Sequence, residues 1–317
     1  MKLYSLVLLI ISVLLLVSLT IPETFPATTY IIKYHVEAQV TKNTIPPQTV
    51  LLLDYTVRYS ISLGDNTANI CYNITWLELS SKNGGVCSTI NITELPKAFG
   101  IPRGVDLSFP AIRLGNMTVL YDYIYAGETT YNGVPVYVLK ARAYTPFYCG
   151  ITNKTSLIYV YKGLPIPLYA SIYYVMCEKY HIQVEAQNIV LPSDTIGEQI
   201  NTQHYNIIVG GLRGAHVIVN GDKDADWLKV ANDGSRPAYI MVIHRNTGTL
   251  MLRILPPNSI VTIQLPVALS QAISMEAGAR QSTDASFYVV LSVVIIATTV
   301  VTIIYLIPRK YLAQKVV

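Results

Sequence analysis

The sequence predicts a mainly β protein: two antiparallel β domains, a curved sheet or sandwich and then a small sandwich, followed by one C-terminal transmembrane helix. Three observations carry that prediction. Apolar and polar residues alternate over much of the stretch from residue 30 to 266, which is the period of a half-buried strand. Turn signals such as Lys82-Asn83-Gly84-Gly85, Tyr131-Asn132-Gly133 and Lys162-Gly163-Leu164-Pro165 interrupt the alternation, as hairpins require. Residues 287–307 then run for 21 positions without a charge, long enough to cross a hydrocarbon core as a helix.

Taken in order, residues 1–20 combine Lys2, an apolar run over 6–17 and the small residues Ser18 and Thr20. That is the layout of a signal peptide, with an uncleaved anchor as the alternative. The first β ectodomain is expected over 28–192. Ile32, Tyr34, Val36, Ala38 and Val40 share one strand face, as do Leu53, Tyr55, Val57, Tyr59 and Ile61. Met117, Val119, Tyr121, Tyr123 and Tyr125 make a third, and strand-like runs follow at 134–142, 155–161, 165–177 and 180–190. The alternation stops at Leu191-Pro192-Ser193-Asp194. Short runs resume near His204, which suits a small Ig-like sandwich over 200–266. Residues 267–286 open with the helix-friendly VALSQAISMEAGA and are expected to form a stalk. Arg309, Lys310 and Lys315 follow the apolar span, so the positive-inside rule puts the tail, 308–317, in the cytoplasm.

The net charge of +4 reduces to Lys2 and these three tail residues, leaving 19 basic against 19 acidic residues between the apolar segments. A neutral ectodomain lacks the basic footprint of a nucleic-acid binder. All four cysteines, Cys71, Cys87, Cys149 and Cys177, fall in the segment placed outside, where an even count favours disulfides. Cys149 and Cys177 are centred on Gly163, so a hairpin turning there sets them opposite one another. Cys71 and Cys87 flank the Asn-Gly-Gly turn less symmetrically. Sequons at Asn73, Asn91, Asn116 and Asn153 lie in the same segment and imply glycan cover.

Candidate chemistry is sparse. The cysteines lack Cys-x-x-Cys spacing, so they read as staples and not as a redox or metal site. His35, His181, His204, His216 and His244 are scattered singly, and each is expected to face solvent from a strand. Asp222, Asp224, Asp226 and Asp233 have the oxygen spacing of a calcium loop. Trp227, however, stands where the sharp turn demands glycine, so a solvated turn is the expectation. Nucleophile elbows, P-loops and dinucleotide fingerprints are absent from the sequence. No catalytic residue and no cofactor is expected.

Only 13% of residues are charged, and tyrosines number 24 against five phenylalanines. This bias resembles that of cell-surface proteins of thermoacidophilic archaea. A fold that relies on neutral tyrosine and threonine contacts loses less when carboxylates protonate. The run Gly127-Glu128-Thr129-Thr130-Tyr131-Asn132-Gly133-Val134-Pro135-Val136-Tyr137-Val138-Leu139, with Tyr159-Val160-Tyr161-Lys162-Gly163-Leu164-Pro165, is similar to the strand and turn rhythm of LolA-like carriers. That resemblance spans about 127–177 and implies a curved antiparallel sheet cupping an apolar ligand.

Together these readings point to a non-enzymatic, membrane-anchored extracellular glycoprotein used for binding, surface assembly or as an accessory subunit. Its partners would be membrane lipid through 287–307 and proteins at the cell surface. A tethered LolA-like carrier and an anchored hydrolase are the alternatives.

Overall fold

The computed structural model describes residues 29–64, 66–76, 84–99, 105–106, 112–114, 117–144 and 154–278. The segments expected to be signal, membrane span and tail lie outside these residues, as do Cys149, Asn116 and Asn153.

The described chain is mainly β, with antiparallel sheets and a single 3-10 helix, Ile92–Phe99. The first sheet takes β1 (Thr29–Lys42), β2 (Gln48–Leu63), β3 (Thr67–Trp76), β4 (Gly84–Asn91), β5 (Val105–Asp106), β6 (Ile112–Leu114), β7 (Met117–Tyr131), β8 (Val134–Tyr144), β9 (Ser156–Tyr161), β10 (Pro167–Met176) and β11 (Glu178–Val190). Its 11 strands run β4-β3-β2-β1-β11-β10-β9-β8-β7-β6-β5. All neighbours are hairpin partners or antiparallel pairs except at the helix, where the chain crosses from one edge of the sheet to the other. In β1 the expected alternation is visible directly: Tyr30, Ile32, Tyr34, Val36, Ala38 and Val40 are buried and their neighbours are not.

Ile70 and Ile74 of β3 belong to the same continuous core as Leu139 and Ala141 of β8, although five strands lie between them in the sheet. At about 4.8 Å per strand they lie roughly 29 Å apart across the sheet, so the core runs unbroken along its inner face. That face is filled by the chain's own residues. Ile92 and Leu95 of the 3-10 helix enter it, and so do Ile208, Leu212, Tyr239, Met241, Ile243 and Ile254 from the next sheet.

The remaining strands make an eight-stranded sandwich. One sheet joins β12 (Thr195–Asn201), β13 (Tyr205–Leu212), β16 (Ala238–His244) and β17 (Leu250–Leu255) in that order. The other runs β18 (Ser259–Gln264), β15 (Trp227–Asn232), β14 (Val217–Gly221), β19 (Ile273–Ala277). An Ig-like order would place the fourth strand of the set beside the fifth in the first sheet; here β16 pairs instead with its hairpin partner β17. The expected stalk also differs, because Ile273–Ala277 forms β19 against β14. Helix-friendly composition yields there to alternation: Ile273, Met275 and Ala277 are buried while Ser274 and Glu276 are exposed.

The sheet containing β13 and β16 is covered on both sides. Ile208, Met241 and Ile243 face the large sheet, whereas Ile207, Val209, Ile240 and Val242 face the second sandwich sheet. Every residue of β16 is buried, which explains its unbroken Ala-Tyr-Ile-Met-Val-Ile run. Two tyrosine hydroxyls tie the layers together. Tyr137 of β8 donates to the Val209 carbonyl, and Tyr239 of β16 donates to the Tyr161 carbonyl at 2.8 Å. Both tyrosines are fully buried. Gly210 permits this approach, since a Cβ there would lie 2.5 Å from the Lys162 carbonyl oxygen and 2.5 Å from the Tyr239 ring.

Two expected outcomes follow from this joint. Gly210→Ala should destabilise the protein by about 1–3 kcal/mol through overpacking, and Tyr239→Phe by about 1 kcal/mol through loss of a buried hydrogen bond. Denaturant unfolding of the two variants measures both, and a neutral Gly210→Ala would refute the contact. The buried hydroxyls also set an alkaline limit. Burial, before any neighbouring charge, raises the pKa of Tyr34, Tyr123, Tyr137, Tyr161 and Tyr239 above the ordinary value of 10.0. Such groups stabilise the fold fully below pH 10 and lose that contribution as pH rises through their folded pKa values. Phenolate absorbance from these five should therefore appear above pH 10 in one cooperative step coincident with loss of the strand signal, distinct from gradual ionisation of the exposed tyrosines. Ionisation of the full tyrosine complement in a protein that stays folded would contradict this.

Candidate functional site

The alternation that buries one face of the large sheet leaves the other open, and its centre carries a distinct set of side chains. Strand register arranges them in rows. Tyr159 of β9, Tyr169 of β10, Glu185 of β11 and His35 of β1 are successive Cα partners across four strands. The next row runs Leu157, Ser171, Gln183, Glu37 and, on β2, Asp54. A third holds Tyr173, His181 and Gln39. Apart from Ser171, which is 9% exposed, these residues are half-buried, as expected for the open centre of a broad sheet.

Aromatic contacts dominate one half of this face. Tyr131 of β7 reaches over to Tyr159 and Tyr169, with ring centroids 5.8 and 6.0 Å away, and Tyr159 and Tyr169 are 5.2 Å apart. Tyr173 and His181 stack in parallel at 4.3 Å, and the Lys154 amine lies 4.7 Å from the centre of the Tyr173 ring, close enough for a cation–π attraction. Polar bonds order the other half. His35 Nε2 meets Asp54 Oδ1 at 2.8 Å, His181 Nε2 meets Ser171 Oγ at 3.0 Å, and Gln39 donates to Glu37. The Tyr131 hydroxyl donates to the Ala186 carbonyl at 3.3 Å. Burial, then the Glu185 charge, push its pKa up to about 12. His181 is shifted down from 6.5 by burial first and by the Lys154 charge second, with Glu37 opposing. Its ring is therefore neutral at pH 7, stacking as an aromatic plane while Ser171 holds one nitrogen.

The residues singled out from sequence lie elsewhere. Cys71 and Cys87 are directly opposed on β3 and β4 with Cα atoms 4.1 Å apart and form a disulfide. Closing a loop of this length is worth about 3 kcal/mol. Cys177 is disulfide-bonded as well; Cys149, its expected partner, is outside the described residues. Asn73 is exposed on β3, and Asn91 Oδ1 accepts from the Thr93 amide and hydroxyl at 3.0 and 2.8 Å, starting the 3-10 helix.

The calcium candidates do not converge. Asp222, Asp224 and Asp226 sit before β15 and Asp233 after it, with six strand residues between them. Asp233 binds His216 instead. Among the described residues no group of three or more metal-ligating side chains is suited to an ion.

Two histidines correct the expectation that all face solvent. His216 is 3% exposed, its Nδ1 against Asp233 and its Nε2 2.7 Å from Glu276 Oε1, so that β19 is clasped beside β14. His244 is 6% exposed at the end of β16, where its Nδ1 accepts from the Thr247 amide at 3.2 Å. His204 is half-buried beside Tyr205.

Comparison of the chain with family models, with curated proteins and with solved structures returns no match. The open face is thus judged on its own chemistry. It offers aromatic planes, hydroxyls, amides and carboxylates on rigid strands, a combination that binds polar ligands. Sequence reasoning missed it. The signal was the pairing of Tyr169, Ser171 and Tyr173 on one face of β10 with apolar residues on the other.

For His181, the unfolded state takes up protons below pH 6.5 before the folded state does, so stability contributed by the neutral ring is present above pH 6.5 and lost as pH falls below it. His181→Gln should weaken that loss between neutral and mildly acidic pH. A ring-proton titration of His181 by nuclear magnetic resonance with a midpoint at or above 6.5 would exclude the assignment.

Proposed function

We propose that the chain is a non-enzymatic, glycosylated extracellular binding protein, held to the cell membrane by residues 287–307 with the tail inside, and that the open face of the large sheet is its recognition surface. The observation that carries this reading is the concentration of half-exposed tyrosine, histidine, glutamate and glutamine at the centre of an 11-stranded sheet whose opposite face is packed. Tyrosine supplies large amphipathic contact area at low conformational cost, which is why binding surfaces use it. The sequons and disulfide residues of the sequence support an extracellular setting, and the uncharged 287–307 run followed by basic residues supports the anchor.

The carrier reading draws on the large antiparallel sheet, which a LolA-like resemblance would curve around an apolar ligand. Against it, the concave face where a carrier would hold an apolar ligand is filled by the 3-10 helix and the middle sheet.

Protease added to intact cells should digest residues 29–278, and a photo-crosslinking residue at position 183 of the full-length chain should yield discrete adducts on those cells. The same crosslinker at the exposed Ile260 should yield none. Protection from protease, or silence at 183, would overturn the reading.

A further inference from the structure

The recognition face carries a more specific assignment, which rests on the reading above. Tyr159, Tyr169 and Tyr173 present their rings on the same side of neighbouring strands. Among the described residues their hydroxyls bond no protein group, and the Gln183 amide beside them is equally unengaged. Stacking surface and unused donors and acceptors therefore alternate over a few ångströms. Rings and hydroxyls together suit a ligand that is itself two-sided, with C–H groups on one face and hydroxyls around its edge. A pyranose sugar is such a ligand: its C–H bonds point positive edges at the negative ring faces, and its vicinal hydroxyls match planar carboxylate and amide side chains such as Glu185 and Gln183.

The size and charge of the face narrow the ligand further. Tyr169 and Tyr173 are four residues apart on β10, about 13 Å along the strand, so the ring-bearing stretch accommodates several sugar units and not one. The rows around the rings contain Glu185, Glu37 and Asp54, balanced by Lys140 beside Leu157, Lys154 over Tyr173 and the Lys33 and Arg58 pair of positions. A face of mixed sign gives a polyanion no net attraction, while the flanking hydrogen-bonding groups disfavour a lipid chain. The three rings of the Tyr131 cluster are tilted from one another by 40–66°, which fits a twisted single chain better than a flat crystalline surface.

We propose that this face is a glycan-binding site for a neutral, hexose-based polysaccharide, with Tyr159 and Tyr169 stacking on successive sugar rings and Gln183 and Glu185 reading their hydroxyls.

The test uses the detergent-solubilised full-length chain titrated with maltoheptaose, cellohexaose, mannohexaose and, as the polyanionic comparison, heparin, followed by calorimetry and saturation-transfer nuclear magnetic resonance. At least one neutral oligosaccharide should bind saturably with a Kd of about 1 mM or tighter, and heparin should not compete. Tyr169→Leu and Tyr159→Leu keep bulk and strand propensity but remove the ring, and each should weaken binding by about tenfold or more. Tyr169→Phe should retain most of it. Circular dichroism and an unchanged unfolding midpoint identify variants that remain folded. If none of the neutral oligosaccharides binds, if folded Tyr→Leu variants bind as well as the parent, or if heparin displaces the sugar, the assignment is wrong. Adducts that persist at position 183 in the face of that failure would leave the binding-protein reading standing; loss of both would remove both.

Discussion

The structure depends on one constraint: the sheet of β12, β13, β16 and β17 is buried on both faces. A sheet so placed has no polar side to give to water, and each side chain along its inner strands must be apolar or find its hydrogen bond inside the protein. Tyrosine resolves this at the joint. The ring fills volume as phenylalanine would, and the hydroxyl of Tyr239 or Tyr137 reaches a backbone carbonyl in the facing layer. The bonds are reciprocal, one donated in each direction, so displacing either sheet leaves a buried carbonyl on the other without its donor. Gly210 matters for the same reason, because it lets the Lys162 carbonyl and the Tyr239 ring come against the strand.

This use of tyrosine extends through the molecule and accounts for the scarcity of charge. Among the described residues no carboxylate is buried. Arg213 and Asp194, 2.7 Å apart, form a pair open to solvent on both sides, and such pairs are worth little. The buried ring of His216 is held by Asp233 and Glu276, whose side chains are 47% and 60% exposed on the solvent side of the clasp. Acid therefore has few native carboxylate contacts to remove, whereas alkali confronts many buried phenols. A fold arranged in this way places its sensitivity at the basic end of the pH scale.

Much of the large sheet was legible in the sequence because alternation maps directly onto a sheet with one wet face. Tyr30 to Val40 and Leu53 to Ile61 could be assigned to one side each, and the hairpin turns followed from Asn-Gly and Gly-Leu-Pro. The middle sheet was harder to place. An unbroken apolar run such as Ala238 to Ile243 shows that a strand is buried twice but not what covers its second face, and here the cover comes from distant strands of the large sheet, such as that of Tyr161, 78 residues before its partner Tyr239. β19 was masked for a different reason, since Ala, Met and Glu favour helix and only pairing with β14 makes the short alternation decisive. His216 and His244 read as solitary polar residues because their partners, Asp233, Glu276 and Thr247, are brought to them by turns and by a distant strand.

The open face was the least legible feature, and the reason bears on its function. Periodicity tells which residues share a side of a strand, but the stacking of Tyr131, Tyr159 and Tyr169 is a property of register across three strands, and that of Tyr173 and His181 of two more positions on β10 and β11. Register in turn is pinned from behind, since a one-residue slip would exchange the buried and open sides of a strand. The same core that the middle sheet seals thus fixes the spacing of the rings and amides in front. Pre-organisation of this kind lowers the ordering cost of binding, so a face with modest individual contacts can hold an extended ligand by repeating them along the strand.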